Sequence, residues 1–403
     1  MEYLKQKTEW LKKYSSITGA SMFILQLIIC VFIFTPELSA QIARSIPAPD
    51  IDVTSYILIE QGSGDVLAEK KADERVEPAS ITKIMTTYVT GQALKEGLIS
   101  LDDQVVVSTK AWKMGGSKMF IEAGKKVTVD QLLDGIIIQS GNDASVALAE
   151  HIAGTEKTFA VLMNDYAKKL GMSGSSFSNA SGYPDAETYV TARDVAILSQ
   201  ALIRDFPVIY QRFSQPDYTF NKIKQPNRNR LLNYDPTVDG IKTGHTEKAG
   251  YCLAASANRD GMRLVSVTMG ASSDGKRVES SRALLNYGYR FFARERFYSA
   301  GEFISEGRVW GGDVESVRVA ASTDVIAVIP RGSAEAVSSE LQLNRPLMAP
   351  LEVGQEIGHL ALLMDGEEFR KFPIVALEGV KEGSVISSLW DKAILLFETV
   401  FEL

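Results

Sequence analysis

The sequence predicts an α+β domain with an antiparallel sheet flanked by helices, followed by a small all-β domain and a C-terminal amphipathic helix. Residues 41–296 place strand patterns near both ends and helical patterns between them, so one antiparallel sheet can draw strands from both ends. Residues 297–382 contain short alternating apolar runs interrupted by Gly and Pro, which is typical of an all-β domain. Residues 383–403 repeat apolar side chains every three or four positions, which indicates an amphipathic helix.

The composition limits the classes of function that need to be considered. The chain has 403 residues, of which 45% are hydrophobic and 23% charged, so it has room for two or three ordinary globular domains. Its formal net charge is −7 and it has no Lys/Arg cluster, which argues against nucleic acid as a partner. Its two cysteines are Cys30 and Cys252, and Cys30 lies in a segment that we expect to be removed or membrane-buried. We therefore expect no disulfide in the mature protein.

Residues 1–40 are predicted to be a signal peptide. The segment begins with a Lys-containing stretch, continues with an apolar run over residues 22–34, and ends in a possible cleavage site after Ala40. The apolar run is short for a membrane span. An uncleaved N-terminal anchor is the alternative, and in both cases the rest of the chain leaves the cytoplasm.

Within residues 41–296 the elements follow from local patterns. A hairpin is predicted over residues 55–70, with Gly62, Ser63, Gly64 and Asp65 as turn formers. Helices are predicted over residues 80–97, 128–138, 143–153, 157–170, 192–206 and 280–292. Strands are predicted over residues 238–243, 251–256 and 264–269. The Ser-, Gly-, Asn- and Pro-rich residues 172–191 are predicted to form a long surface loop.

The two C-terminal units carry no predicted catalytic group. The β-rich residues 297–382 are interpreted as a spacer or docking domain, with a binding module as the alternative. In residues 383–403, Trp390 and Phe397 lie on the apolar face, so the helix is predicted to lie in a membrane interface. Its polar face is net acidic, so such binding would depend on apolar burial. A helix docked on the β domain, or a dimer contact, is the alternative.

Ser80 and Lys83 are the first candidate catalytic residues. They are three positions apart at the start of a predicted helix, so their side chains lie on the same face of one turn. A serine becomes a useful nucleophile when a neighbouring base removes its proton, and a buried amine can be that base. An ordinary amphipathic helix with a solvated Lys83 would show the same spacing, so this pair alone does not establish a site.

Two further motifs show that the Ser80–Lys83 pair is part of a larger pattern. In chain order the three motifs are Ser80-Ile81-Thr82-Lys83, Ser140-Gly141-Asn142 and Lys242-Thr243-Gly244. They are predicted on a helix, in a loop between helices and on a strand, and this combination indicates a serine acyl-transfer site. With the longer strings at residues 77–86, 139–145 and 239–246, the chain resembles the low-molecular-mass penicillin-binding proteins that are D-alanyl-D-alanine carboxypeptidases, of the penicillin-binding protein 5/6 type. The resemblance extends from about residue 50 to residue 403.

The resemblance implies a serine β-lactamase/penicillin-binding-protein-like fold and a hydrolase that removes the terminal D-alanine from peptidoglycan pentapeptide stems. It implies acylation by β-lactams, a role in cell-wall remodelling and cell shape, and a location on the periplasmic face of the bacterial inner membrane. It implies no cofactor. The sequence itself shows no His, Cys, Asp and Glu cluster with metal-ligand spacing.

Each motif residue is expected to have a chemical role. Ser80 is the nucleophile, Lys83 its base, and Ser140 passes a proton to the leaving amine with help from Lys242. Asn142 is expected to hydrogen-bond the substrate backbone. The backbone N–H groups of Ser80 and, by the family pattern, His245 are expected to form the oxyanion hole.

Substrate binding is assigned to the strand motif and to two arginines. Thr243 and Gly244, with Arg277 and Arg228, are expected to hold the terminal carboxylate, which a planar guanidinium binds well. Both arginines rest on the resemblance, and a solvated surface arginine is the alternative for each. Arg230 stands where this group tends to have a small residue.

Three other interpretations are less well supported by the sequence. A Ser-His-Asp triad is disfavoured because Ser80 lacks a Gly-x-Ser-x-Gly elbow and, of the histidines, only His245 lies in a motif; His151 and His359 are interpreted as structural. A β-lactamase would usually have Asp at position 141 and a Glu-x-x-Leu-Asn string, which the chain lacks. A non-catalytic penicillin-binding wall scaffold would not need the intact Ser80 and Lys83.

Overall fold

The computed structural model describes residues 46–384 together with Trp390, Asp391 and Ile394. The strands of the first domain are β1 (Ser55–Glu60), β2 (Val66–Lys70), β3 (Gln104–Val106), β4 (Lys126–Thr128), β5 (Asp217–Phe220), β6 (Ile223–Pro226), β7 (Val238–Thr246), β8 (Gly250–Arg259) and β9 (Met262–Ala271). Its helices are α1 (Lys83–Lys95), α2 (Thr109–Lys113), α3 (Val129–Ile137), α4 (Asn142–Ala153), α5 (Glu156–Lys169), α6 (Ala192–Asp205), α7 (Pro207–Tyr210) and α8 (Asp274–Phe291).

A five-stranded antiparallel sheet forms the centre of this domain. Its strand order is β2-β1-β9-β8-β7, so the N-terminal hairpin joins strands that lie about 200 residues later in the chain. Leu58 on β1 pairs with Ser266 on β9. The prediction that both ends of the domain complete one antiparallel sheet is confirmed.

Because side chains alternate between the two faces of the sheet, its strands contribute to two separate hydrophobic cores. On β9, Val265 and Val267 face the large helical core that includes Ile84 of α1. The neighbouring Leu264 faces the opposite side, where it packs in a second core with Leu284 of α8. The sheet is therefore the middle layer between two helical layers.

Helix α1 is buried more completely than the sequence predicts. Its pattern predicts one buried face, but nearly every residue from Lys83 to Ala93 is buried. The hydroxyl of Thr87 donates to the Lys83 carbonyl at 2.8 Å, which satisfies a polar group inside the core. Gly91 permits the Phe206 ring to lie where a Cβ would collide with it. The helix runs through the core, so Lys83 at its first position is packed on every side.

Several predicted boundaries shift in the structure. Ser80 lies in a 3₁₀ turn, Ala79–Thr82, directly before α1. Asn142 is the first residue of α4 and not part of a loop. Helix α8 begins at residue 274 and not at 280, because the Ser273 side chain accepts a hydrogen bond from the Lys276 N–H and caps the helix. The antiparallel pair β3–β4 and the hairpin β5–β6 were not predicted, since three- and four-residue strands give little periodicity.

The segment 172–191 is not a surface loop over its whole length, which corrects the prediction. Ala180 is fully buried and Ser181 is 1% exposed. The Thr86 hydroxyl of α1 donates to the Ala180 carbonyl at 2.6 Å, and the Ala180 N–H donates to the Glu156 carboxylate at 3.1 Å. The loop is drawn inward because its backbone hydrogen-bonds with the central helix and with α5.

The second domain is all-β, as predicted. Its strands are β10 (Phe292–Tyr298), β11 (Phe303–Trp310), β12 (Ser316–Ala321), β13 (Val325–Pro330), β14 (Val337–Leu343), β15 (Leu347–Met348), β16 (Glu356–Met364) and β17 (Glu367–Ala376). Six strands form a sheet in the order β14-β16-β17-β12-β11-β15, and β10 pairs with β13. Strand β10 runs across residue 296, where the sequence predicts the boundary between the two domains. The position of that boundary stays a prediction. Arg370 connects this domain to the first by an ion pair with Asp65 at 2.6 Å.

The predictions for the two chain ends are tested little or not at all by the structure. The predicted signal peptide at residues 1–40 and most of residues 383–403 lie outside the described residues. Trp390, Asp391 and Ile394 are helical, and the Asp391 carboxylate accepts a hydrogen bond from the Gly311 N–H at 2.8 Å. Within the described part of the chain, no helix is both long and apolar enough to cross a membrane.

Candidate active site

The turn that carries Ser80 presents its hydroxyl to the first residue of α1. The Lys83 Nζ lies 3.0 Å from the Ser80 Oγ, which is hydrogen-bonding distance for removal of the hydroxyl proton. Ala79 has a φ of +48°, in the left-handed region that a non-glycine residue adopts only at a cost. The packing around the turn therefore holds an unfavourable backbone conformation beside the candidate nucleophile.

Lys83 is fully buried and held by three acceptors. Besides Ser80, its amine reaches the Asn142 Oδ1 at 2.7 Å and the Ser181 carbonyl oxygen at 2.6 Å. Burial lowers the pKa of Lys83 to about 7, and the negative charge of Asp143 opposes that shift. A substantial fraction of this amine is therefore neutral near pH 7, as a general base for serine requires.

The Asn142 carboxamide is bound at both ends by the protein. Its oxygen accepts from Lys83, and its Nδ2 donates to the Gly115 carbonyl at 2.8 Å. Its backbone N–H donates to the Ser117 carbonyl at 2.7 Å. The structure thus gives Asn142 a role in orienting Lys83 and fixing residues 115–117. The expected contact with the substrate backbone stays a prediction.

Asp143 is a site residue that the sequence analysis missed. Its buried carboxylate accepts hydrogen bonds from consecutive backbone N–H groups, those of Met119 and Phe120 at 2.9 Å and that of Ile121 at 3.3 Å. It ties this segment to the start of α4, beside Asn142. Its position directly after the second motif was a usable signal, but the backbone groups that it binds were not visible in the sequence.

Ser140 and Lys242 are both buried next to this centre. Ser140 is 4% exposed with a φ of +67°, and its hydroxyl has no hydrogen-bond partner among the described residues. The Lys242 Nζ lies 3.3 Å from the Thr243 carbonyl oxygen. Burial lowers the pKa of Lys242 well below its usual value, and the positive charges of Lys83 and Arg228 add to that effect. The structure therefore brings the two lysines of the motifs into one buried, electropositive centre.

Strand β7 lies directly against the Ser80 turn. A Cβ at Gly244 would come within 2.7 Å of the Pro78 carbonyl oxygen, so glycine is needed for this close approach. The backbone N–H groups of Ser80 and His245, expected to form the oxyanion hole, thus come from adjacent segments. The His245 ring packs on Tyr251, with ring centroids 4.0 Å apart.

The two candidate arginines differ in their surroundings. Arg277, in the first turn of α8, is 7% exposed, and its Nη1 donates to the Gly244 carbonyl at 3.2 Å. Burial lowers its pKa, while Asp274 pairs with it. The alternative of a solvated arginine is therefore wrong for Arg277. Arg228 is exposed, so that alternative remains open for it, although its charge lowers the pKa of Lys83.

The remaining histidines lie in structural contacts. The His151 Nε2 is 3.4 Å from an Asp103 carboxylate oxygen, and the His359 Nε2 is 2.7 Å from the Gln342 side-chain oxygen. No group of three or more His, Cys, Asp or Glu side chains within the described residues is placed to hold a metal ion. Lysine, and not histidine, is the basic side chain that contacts Ser80.

Comparisons with known proteins agree with this geometry. The sequence profile of the D-alanyl-D-alanine carboxypeptidase family matches residues 42–273, and that of the penicillin-binding protein 5 C-terminal domain matches residues 292–382. The chain is 42% identical over 379 residues to the D-alanyl-D-alanine carboxypeptidase DacC of Escherichia coli, covering 92% of this chain and 94% of that protein.

Solved structures show the same likeness. Penicillin-binding protein 5 of Haemophilus influenzae is 41% identical, with a TM-score of 0.79 over 84% of this chain and 100% of that one. Penicillin-binding protein D2 of Listeria monocytogenes, solved in an ampicillin-bound form, is 29% identical, with a TM-score of 0.56 over 60% of this chain and 99% of that one. With its Ser80–Lys83 centre and both domains matched, this chain belongs to the D-alanyl-D-alanine carboxypeptidase family, as a serine peptidase of the low-molecular-mass penicillin-binding protein type.

Proposed function

We propose that this protein removes the terminal D-alanine from peptidoglycan pentapeptide stems through an acyl-enzyme on Ser80. The observation that supports this most directly is the 3.0 Å contact between the Ser80 hydroxyl and the buried Lys83 amine. Asn142 of the second motif binds the same amine, and the Lys242-Thr243-Gly244 motif is also present in the chain. Their individual roles are our proposal.

In acylation, neutral Lys83 takes the Ser80 proton as the Ser80 Oγ attacks the carbonyl carbon between the two D-alanines. The oxyanion that forms accepts hydrogen bonds from the backbone N–H groups of Ser80 and His245. Collapse of the tetrahedral intermediate breaks the C–N bond, and the leaving amine takes the Ser140 hydroxyl proton. Ser140 is reprotonated, with help from Lys242, by the proton that Lys83 took from Ser80, so Lys83 is neutral again. The Ser140 hydroxyl, which has no hydrogen-bond partner among the described residues, is free to make this transfer.

In deacylation, Lys83 takes a proton from water as the water oxygen attacks the ester carbonyl. The C–Oγ bond then breaks and that proton passes from Lys83 to the Ser80 Oγ, which releases the shortened peptide and restores Ser80. Asn142 keeps the Lys83 amine aimed at the reacting atoms in both steps, since it already binds that amine at 2.7 Å. Such fixed orientation lowers the barrier, because less motion is lost when the transition state forms.

The terminal carboxylate of the substrate is recognised by positively charged side chains next to the Lys242-Thr243-Gly244 motif. Thr243 supplies a hydroxyl on β7, Gly244 keeps the strand close to the Ser80 turn, and Arg277 supplies a buried guanidinium. Arg228 adds a further positive charge at the edge of the site. β-Lactams also carry a carboxylate next to a reactive carbonyl, so the same groups position them to acylate Ser80.

The protein acts at the bacterial cell wall, and we place it on the periplasmic face of the inner membrane, where peptidoglycan stems are accessible. Support for this comes from the predicted signal peptide at residues 1–40 and the amphipathic residues 383–403. A role in cell-shape control follows if trimming of stem peptides limits cross-linking.

A Ser80→Ala variant tests the nucleophile. Wild-type protein mixed with a pentapeptide ending in D-Ala-D-Ala should release one alanine, and mass spectrometry should find penicillin on the peptide that contains Ser80. The variant should show neither, because no other hydroxyl within the described residues contacts the Lys83 amine. Ser339→Ala, at an exposed serine of the β domain, is the matched control and should behave as wild type.

Two outcomes would contradict the proposal. Penicillin labelling that survives in Ser80→Ala would place the nucleophile elsewhere. A wild-type penicillin adduct without cleavage of any stem peptide, including intact peptidoglycan, would favour the non-catalytic scaffold.

A further inference from the structure

Asp274 bridges two arginines of which only one belongs to the proposed carboxylate site. One of its carboxylate oxygens pairs with the Arg277 Nη2, and the other accepts from the Arg230 Nη1 at 3.0 Å. Arg230 also donates to the Tyr234 hydroxyl at 3.3 Å. One carboxylate is thus shared between two guanidinium groups, which leaves a net positive charge at this corner of the site.

The segment that carries Arg230 is fixed to the catalytic strand. Asn229, only 2% exposed, donates from its side chain to the Gly240 carbonyl of β7 at 2.9 Å. Its side-chain oxygen accepts from the Leu231 N–H at 3.2 Å. Arg230 therefore starts from a backbone anchored to β7 and reaches the first turn of α8, where Asp274 and Arg277 lie.

The sharing of Asp274 between two arginines matters because Arg277 has one N–H donor without a partner among the described residues. Its Nε is buried and has no hydrogen-bond partner among the described residues. If Asp274 lost Arg230, its freed oxygen could turn toward that Nε and form a bidentate pair, the strongest arrangement of a carboxylate with a guanidinium. Arg277 would then be neutralised and less available to a second carboxylate.

We propose that Arg230 is a specificity-determining, positioning residue. By holding the second oxygen of Asp274, it prevents Asp274 from sequestering Arg277 and so keeps Arg277 available for the terminal carboxylate of the substrate. The inference rests on the proposed carboxylate role of Arg277 and extends it to two residues that do not touch the substrate. Arg230 is about half exposed, so the effect is expected to weaken as salt screens its charge.

The full mature chain with Arg230→Ala tests this. KM for a D-Ala-D-Ala peptide should rise about three- to tenfold at low salt, the size expected for one partly screened charge, while kcat changes less. Adding Asp274→Asn to Arg230→Ala should bring KM back toward the wild-type value, because the sequestering carboxylate is then gone. A purely structural defect would be made worse, not reversed, by the second substitution.

Arg282→Ala is the matched control. Arg282 is exposed on α8 and makes no ion pair with Asp274, so its loss changes the net charge equally and should leave KM within about twofold. Arg230→Lys keeps the charge without the planar fork and should fall between wild type and Arg230→Ala. Melting temperatures of all variants identify any that fail to fold.

The outcomes separate this inference from the proposed function. If Arg277→Ala leaves KM unchanged, the proposed carboxylate role of Arg277 is wrong, and this inference falls with it. If Arg277→Ala raises KM but Arg230→Ala matches Arg282→Ala, or if Asp274→Asn does not reverse the effect, only the role of Arg230 is overturned.

Discussion

Burial suits Lys83 to its proposed role as the base. The amine is removed from water, which disfavours its charged form, yet its hydrogen-bond partners within the described residues are all oxygens. Around it, Asp143 supports the charged form, while Arg228 opposes it. With the resulting pKa of about 7, much of the amine is neutral near pH 7 and can accept a proton.

The rate of penicillin acylation should therefore depend on pH with an apparent pKa near 7. Protonated Lys83 cannot accept the Ser80 proton, so the second-order rate constant should rise from about pH 6 to pH 8 and then level off. Stopped-flow measurement of acylation across this range checks the prediction.

Arg228→Ala provides the control for that assignment. Since the positive charge of Arg228 lowers the pKa of Lys83, its removal should raise that pKa and move the profile to higher pH. A rate that is independent of pH, or a profile that does not move in the variant, would mean that Lys83 is not the titrating base.

The 3₁₀ turn before α1 and the inward loop at residues 172–191 depend on each other. Gly182, with a φ of +72°, lies so close to the Ala79 carbonyl oxygen that a Cβ would collide with it. The same loop supplies the Ser181 carbonyl that binds Lys83. The position of the nucleophile is thus set by a contact between two segments about 100 residues apart in the chain.

Gly182→Ala should consequently slow acylation by more than its loss of stability alone would explain. Moving the Ser80 turn by about 1 Å is expected to slow acylation roughly a hundredfold. Gly171→Ala is the matched control, because Gly171 has a φ of +82° but an added Cβ would meet nothing within 4 Å among the described residues. It should lose only about 1 kcal/mol of stability from backbone strain and keep its acylation rate. Acylation rates and melting temperatures distinguish the two, and equal rates in both variants would refute the proposed coupling.

The two domains and the chain end together determine where the enzyme acts. The β domain follows α8 without a linker, since β10 begins at the residue after the helix ends. Beyond it, Trp390 is 69% exposed, which suits an apolar contact with a membrane, while Asp391 is hydrogen-bonded to Gly311 of the β domain. Exposed Trp390 favours the membrane-interface interpretation of residues 383–403, and the Asp391 contact favours a helix docked on the β domain.

Deletion of residues 383–403 separates those interpretations. If they form a membrane-interface helix, the truncated mature protein should leave the membrane fraction and still hydrolyse a soluble peptide at nearly the full rate, because the Ser80 centre lies in the first domain. Sedimentation of both forms with membranes, alongside peptide hydrolysis, checks this. Unchanged membrane association would instead point to the β domain, or to retention of residues 1–40.

Much of this protein was predictable from local sequence. The order of the three motifs, the strand patterns at both ends of the first domain and the change to an all-β pattern near residue 297 all reflect short-range chemistry. Ser80 and Lys83 could be paired because three positions along a helix fix which side chains meet. Burial on every side of α1, however, could not be read from its periodicity, because Thr and Gly inside the core resemble exposed residues until their partners are known.

The sequence by itself predicted Ser80 as the nucleophile and Lys83 as its base, and it indicated the family and the α+β and all-β folds, because each depends on residue identity at fixed short spacing. Only the tertiary structure decided how the base is held and tuned. The Ser181 carbonyl, the Asp143-bound segment at residues 119–121 and the Arg230–Asp274–Arg277 bridge join positions far apart in the chain, and several use backbone atoms that every residue possesses. Such contacts leave no pattern in the sequence, since they arise when the sheet and helices bring distant segments together.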